Sequence, residues 1–177
     1  RTAVQLSNGH SNVRSRSILV SVSEEIEQIA FDRLRFTHLL HNLLSNAIKY
    51  SPENTQITVS MELLDSGEAV LSVADEGFGL EQREITRITD SFVRSKDTRI
   101  ETIEGFGLGL SIVKSIADAH NCALGIESEM GVGTRVSLTL PASRVNPDDA
   151  HTMRYGPRVD LQTYRSSPTS QRFRHDA

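Results

Sequence analysis

Between Ile57 and Leu63 the chain alternates strictly, with Ile57, Val59, Met61 and Leu63 apolar and Thr58, Ser60 and Glu62 polar. Successive side chains of a strand point to opposite faces, so this pattern predicts a half-buried β-strand. Thr134 to Leu140 alternates in the same way at Val136, Leu138 and Leu140. Shorter apolar runs at Ser17–Val22, Gln28–Phe31, Val70–Ala74 and Ala123–Ile126 predict four further strands, and Asp65-Ser-Gly67 supplies a turn before the third of these. A helical period takes over at Leu39, Leu40, Leu43, Leu44, Ala47 and Ile48, where a broad apolar stripe predicts a helix running from an Asp32 cap to about Tyr50. Leu108, Ile112, Val113, Ile116 and Ala117 predict another over Leu108–His120, and a short one is expected from Glu81 to Ile88.

The remaining stretches lack a period. Residues 1–16 are polar and irregular, as expected of a linker or the end of a preceding module, and Val93 to Glu104 reads as a long mobile loop of mixed charge. From Pro141 onward the apolar pattern collapses, and four of the five prolines, Pro141 included, fall in this stretch, so 142–177 is expected to be a disordered tail or linker. The folded domain is thus placed at 17–141.

A length of 177 residues suits one domain with a real core, and 37% hydrophobic against 24% charged residues is an ordinary soluble balance. The net charge of −4 offers no broad basic surface, so no nucleic-acid partner is expected. The single cysteine, Cys122, excludes an internal disulfide and reads as a small buried hydrophobe at a strand start. No apolar run approaches the ~20 residues of a membrane helix, and no signal peptide is visible. The chain begins at Arg1 rather than Met, so it is expected to be a cytoplasmic fragment, with membrane anchoring of a longer parent left open.

Candidate chemistry lies in four places. Asn42, Asn46 and Lys49 are spaced to share one helix face, where an amide oxygen is a suitable hard ligand for Mg²⁺ and the lysine a point charge for phosphate. A solvated helix face is the plain alternative. Asp75 closes a strand and precedes Gly77 and Gly79, so its carboxylate can accept from an exocyclic amine while the glycines leave room for a flat ring. The alternative is an ordinary turn. Gly105-Phe-Gly-Leu-Gly-Leu110 opens a helix, and such a glycine loop aims backbone N–H groups and the helix's positive end at a phosphate. Gly131-Val-Gly-Thr134 offers a hydroxyl where the chain returns to the sheet. Gly-x-Gly-x-Gly without a preceding strand argues against a Rossmann unit, and the lack of Gly-Lys-Ser/Thr excludes a Walker loop.

Taken in order, Asn42-Leu-Leu-Ser-Asn46-Ala-Ile-Lys-Tyr50, Asp75-Glu-Gly-Phe-Gly79, Phe92-Val-Arg94, Gly105–Leu110 and Gly131-Val-Gly-Thr134 resemble the catalytic ATP-binding domain of sensor histidine kinases. That family lies within the superfamily of gyrase, Hsp90, histidine kinases and MutL, and the resemblance covers about residues 18–140. It implies a Bergerat-type two-layer α/β sandwich, a mixed sheet packed on one face by three helices, with ATP and Mg²⁺ as cofactors beneath a flexible lid. It implies that Asn46 ligates the metal, Asn42 lines the phosphate side, Lys49 meets phosphate and Tyr50 borders the adenine. By the same resemblance Asp75 takes the adenine amine, Gly77 and Gly79 shape its pocket, and Thr134 supports that side. Gly105, Gly107, Leu108, Gly109 and Leu110 would wrap the phosphates, with Phe92 bordering the nucleotide and Arg94 steadying the transferring phosphoryl group.

Hydrolysing members of the superfamily carry a glutamate four residues before the metal asparagine, where this chain has Asn42, so the resemblance implies transfer to a histidine instead of hydrolysis. No histidine here lies in the family's acceptor motif; His10 and His175 have the wrong neighbours. The implied partners are an upstream dimerisation and histidine phosphotransfer domain and a downstream response-regulator receiver, with a homodimeric parent and a monomeric fragment. A serine kinase of the same superfamily and a nucleotide-sensing module without transfer are the competing readings. His38 is expected to be a surface variation, His41 and His120 solvated or satisfied helix residues, and Lys96 and Arg99 solvated loop charges.

Overall fold

The computed structural model describes residues 2–5, 17–91, 93, 106–146 and 159–160. Along the chain the strands are β1 (Thr2–Gln5), β2 (Ser17–Val22), β3 (Gln28–Ile29), β4 (Gln56–Leu63), β5 (Ala69–Asp75), β6 (Ala123–Glu129), β7 (Gly133–Leu140) and β8 (Val159–Asp160). The helices are α1 (Arg33–Tyr50), α2 (Gln82–Ile85) and α3 (Gly109–Ala119). The main sheet has the order β1-β2-β4-β5-β7-β6, with β2 and β4 parallel and every other neighbour antiparallel. β3 and β8 form a separate two-stranded ladder.

Register explains the core. Ile18 stands opposite Ile57, Val59 opposite Val73, and Val73 opposite Val136, so the apolar sides of four strands merge into one face. Onto it α1 lays Phe36, Leu39, Leu43 and Ala47, and α3 adds Val113, Ile116 and Ala117, all of them buried. Each large side chain so buried contributes about 1.5–3 kcal/mol. On the other face the Ser60 and Ser72 hydroxyls share a 2.8 Å hydrogen bond, and Arg135 Nη1 donates to Ser72 Oγ at 3.1 Å. This is the expected mixed-sheet, two-layer architecture.

The helix termini follow from local chemistry. Asp32 caps α1 by accepting the Arg35 N–H at 2.8 Å, and Pro52 shortly after Tyr50 prevents the helix from continuing. The helix expected over 81–88 shrinks to Gln82–Ile85, because it buries no side chain and only local hydrogen bonds hold it. The strand expected over Gln28–Phe31 ends at Ile29, where the Ala30 N–H turns to Arg144 O. Ile48 and Ile112, both placed on apolar stripes, are 37% and 42% exposed; Ile112 faces the open space between α1 and α3. His120 stacks on Phe31 with ring centroids 3.8 Å apart, and its Nε2 accepts the Asp32 N–H at 3.4 Å. Burial lowers its pKa below the ordinary value. Cys122 is buried as expected, and burial pushes its thiol up to about 11, which leaves it inert at neutral pH. Among the described residues no helix is long and apolar enough to cross a membrane.

Ordered pieces flank the span 17–141 on both sides. β1 pairs with β2, and β8 with β3. Ala142–Arg144 forms a 3-10 turn whose Arg144, only 1% exposed, donates from Nη1 to Ala30 O at 2.6 Å. Asn146 then clamps the loop before β3: its Oδ1 accepts the Glu27 and Gln28 N–H groups, and its Nδ2 donates to Glu25 O. A charge-assisted bond to a buried carbonyl is worth about 1.5–3 kcal/mol. Arg144→Ala is therefore expected to lower unfolding stability by roughly 2–3 kcal/mol in urea titration, whereas a solvated tail arginine would change it by less than about 0.5 kcal/mol.

Candidate functional site

α1 and the start of α3 stand over the apolar face of the sheet and leave a cleft of about 430 Å³ between them. Its floor is Val73 and Val136 from the central strands, and its far wall is the loop Phe78-Gly-Leu80 that follows β5. Two ends of different chemistry face each other along α1.

At one end sits Asp75, the last residue of β5. Its Oδ1 accepts the Gly77 N–H at 2.9 Å, and the Thr134 backbone and Ser51 side chain also hydrogen-bond to it. These bonds favour the charged form, but burial outweighs them and raises the carboxyl to about 6 from 3.8. Thr134 faces Asp75 across the β5–β7 ladder and lines the cleft, as does Tyr50. Gly77 does not line the cleft; a Cβ there would lie 2.5 Å from both Asp75 Oδ1 and Tyr50 O. Gly79 does line it, yet its φ of +67° and a Cβ position 1.9 Å from Glu129 O show that its main service is close backbone packing against the β6–β7 hairpin.

At the other end Asn42, Asn46 and Lys49 present one face of α1 to the cleft, opposite Gly107, Leu108, Gly109 and Leu110. Asn42 Nδ2 donates to His38 O at 2.8 Å. Asn46 is half-buried, and among the described residues its amide has no hydrogen-bond partner. Lys49 is exposed. A Cβ on Gly109 would come 3.2 Å from both amide heteroatoms of Asn46 and 3.5 Å from Asn42 Oδ1, so the missing side chain is what lets α3 begin against the two asparagines. Alanine favours a helix more than glycine does, so Gly109→Ala should leave thermal stability unchanged or slightly higher. By pushing on the Asn46 amide it is expected to weaken magnesium-dependent nucleotide binding roughly tenfold in calorimetry.

The structure thus brings together Asn42, Asn46, Lys49, Tyr50, Asp75, Gly79, Gly107, Leu108, Gly109, Leu110 and Thr134 around one cleft, with Gly77 directly behind it. Phe92, Arg94 and Gly105 lie outside the described residues, as do Lys96 and Arg99. Sequence reasoning missed the apolar lining from Leu80, Ile88 and Phe106, and two supporting hydroxyls. Ser51, only 1% exposed, donates to Ala47 O at 2.6 Å beside Asp75. Ser128 lies opposite Thr134 in the β6–β7 hairpin, with the two hydroxyls 2.8 Å apart. The hairpin register, countable back from Gly131, is the signal that could have found it.

Residues 31–144 match the family of histidine kinase-, DNA gyrase B- and HSP90-like ATPases. Sensor histidine kinase WalK of Bacillus subtilis is 35% identical over 122 residues, covering 68% of this chain and 20% of that protein. The Mycobacterial sensor histidine kinase MprB superposes with a TM-score of 0.65 at 28% identity, over 75% of this chain and 86% of that one. Full-length ShkA, solved in complex with AMPPNP, gives a TM-score of 0.61 at 30% identity, over 71% of this chain and 25% of that one. The chain therefore spans only about a fifth of the length of its WalK relative. Its cleft, its sheet order and its sequence agree: the chain belongs to the histidine kinase-, DNA gyrase B- and HSP90-like ATPase family, in the form found in the catalytic domains of sensor histidine kinases.

Proposed function

We propose that this chain is the ATP-binding domain of a protein-histidine kinase, and that it delivers the γ-phosphoryl group of Mg·ATP to a histidine on a dimerisation domain outside the chain. Asp75, Thr134 and Tyr50 would hold the base, and the start of α3, from Gly107 to Leu110, would take the phosphates. The neighbouring AMPPNP complex of ShkA supports a nucleotide in such a cleft. The Asn46 amide, which has no hydrogen-bond partner among the described residues, suits Mg²⁺, which prefers oxygen ligands and retains waters. When bound, that ion neutralises charge on the phosphates.

One observation carries the choice of transfer over hydrolysis. Among the described residues lining the cleft, Asp75 is the only acid, and it stands at the Tyr50 end of α1. Asn42 lies eight residues back along that helix, about 12 Å at 1.5 Å per residue. Among the described residues lining the cleft, no carboxylate therefore stands at the Asn42 end to deprotonate a water. A neutral imidazole brings its own lone pair. Its nitrogen forms the new P–N bond as the bridging P–O bond to the β-phosphate breaks and the electron pair leaves with ADP. Lys49 and the α3 terminus would supply positive potential, so catalysis rests on positioning and electrostatics. Phosphoryl groups so placed would pass on to a response-regulator receiver, the partner class that the two-component relatives imply.

The test is transfer in trans. γ-labelled ATP, this chain and the histidine-bearing helical domain of its parent should yield label on the helical domain that is lost in acid and stable in alkali. Acid-stable label on serine, or ADP release with no labelled protein, would overturn the reading.

A further inference from the structure

α3 meets α1 at both of its ends. Its first residue, Gly109, lies against Asn46 and Asn42, where a Cβ would come 3.2 and 3.5 Å from their amides. Its C-cap, His120, reaches the residues that lead into α1. The His120 ring stacks on Phe31 at 3.8 Å and 3°, and its Nε2 takes the N–H of Asp32, the α1 N-cap, at 3.4 Å. The two helices therefore run antiparallel. Residues 32–42 and 109–120 have nearly equal lengths, about 15 and 17 Å at 1.5 Å per residue, so the contact at His120 fixes where Gly109 falls against the asparagines. His120 itself does not line the cleft.

The ring's neighbours assign its proton. Ile116 O, 2.9 Å from Nδ1, can only accept, so Nδ1 carries the proton. The Asp32 N–H can only donate, so Nε2 is bare. A proton on Nε2 would set two N–H groups against each other. It would also add a cation beside Arg144, which donates to Ala30 O on the same segment. Burial opposes that proton most, Arg144 and Arg35 oppose it too, and Asp32 favours it. Of the other titratable neighbours, Asp118 is paired with Lys114, and Cys122, whose Sγ donates to His120 O at 3.5 Å, is kept a neutral thiol by burial.

We propose that His120 is a positioning residue: as the neutral Nδ1–H ring it ties the end of α3 to the entry of α1, and so sets the spacing at which Gly109 leaves the Asn46 amide free at the phosphate end of the cleft. The inference rests on the nucleotide reading above and adds to it a residue outside the cleft that governs Asn46. When the tie is lost, that spacing is held only part of the time, and apparent affinity falls with the populated fraction. Asp75 and Thr134 at the other end stand on β5 and β7, outside this pair of helices, so binding of the base should not change.

Two substitutions divide the ring's duties. His120→Gln sets an amide oxygen where Nε2 stood and keeps an acceptor for Asp32, whereas His120→Asn keeps a donor for Ile116 O and offers Asp32 nothing. In calorimetry at pH 7.5, His120→Asn should weaken Mg·ATP roughly fivefold and leave adenosine unchanged, and His120→Gln should hold ATP within about twofold of the wild type. The ratio of wild-type to His120→Gln affinity for ATP cancels the titration of Asp75 and of the phosphates. That ratio should be constant above pH 6.5 and fall below it, because the lowered pKa of the ring keeps the tie intact above its ordinary value and loses it as pH falls through the folded one. The nitrogen-15 spectrum of the ring at pH 7.5 should show the proton on Nδ1 and none on Nε2. An Nε2–H tautomer overturns the proposal whether or not the variants fold. So does an unchanged ATP affinity in His120→Asn, an equal loss of ATP and adenosine, as a merely structural change would give, or a ratio flat down to pH 5. Each of these results spares the nucleotide site, whereas a wild type that binds neither ligand overturns the proposed function as well.

Discussion

Replacing Asp75 with asparagine should cut ATP affinity by two to three orders of magnitude while leaving the protein folded. The side chains have the same shape, so the effect is one of polarity. One carboxylate oxygen is already occupied by the Gly77 N–H at 2.9 Å, and the Thr134 backbone also donates to the group. An amide cannot serve both sides. Turned with its oxygen to Gly77, it aims an NH₂ at the amine of the base; turned the other way, it sets that NH₂ against the Gly77 N–H. A lost charge-assisted hydrogen bond, about 1.5–3 kcal/mol, adds to an unpaired donor at about 1–3 kcal/mol. Each 1.4 kcal/mol is roughly tenfold in affinity. The fold itself should not suffer, because burial already disfavours the ionised carboxyl. Calorimetry and thermal unfolding of the same samples separate the two effects. A variant that lost binding because it had unfolded would not support the assignment.

The second large effect is on pH. The Asp75 carboxyl, raised to about 6, lies above its ordinary 3.8. In the unliganded protein the fold therefore favours the protonated form, and this group's contribution to stability is fully present below pH 3.8 and lost as pH rises through 6. Binding runs the opposite way, because an amine needs the carboxylate as acceptor. Affinity for the base should be constant above pH 7 and fall about tenfold per unit below 6. Adenosine is the ligand to use, as it carries no phosphate to titrate. His120 contributes with the opposite sign to Asp75: its pKa is lowered, so its contribution is present above pH 6.5 and lost as pH falls through its folded value. Subtracting the stability profile of Asp75→Asn from that of the wild type isolates the aspartate. An affinity that stayed flat from pH 7.5 to 5 would show that the carboxyl does not meet the base.

What could be read from the sequence was whatever a single element encodes by itself. The 3.6-residue stripe of α1 and the alternation of β4 and β7 mark helix and strand directly, and Asp75 with its glycines marks a loop that must approach something closely. Features that depend on long-range pairing stayed hidden. Arg144 reads as solvent-exposed among prolines and charges, but it is buried because Ala30 O, 114 residues away, needs a donor. Ser128 reads as a polar residue in a strand, and it matters only once register sets it against Thr134 and Leu80. The glycines were legible as glycines but not in purpose: Gly79 and Gly109 serve close packing against Glu129 and Asn46 as much as room for a ligand. The stripe residue Ile48 shows the converse error, since periodicity gives direction around a helix and not the width of the surface it meets.

The most direct test of the account is a calorimetric titration of ATP into the chain with and without magnesium, repeated on Asn46→Ala. The account predicts saturable binding at one site, weakened when magnesium is withheld, and little further weakened by withholding it from the variant. Equal affinity with and without magnesium in the wild type, or no binding in either condition, would contradict the assignment of this cleft as a Mg·ATP site.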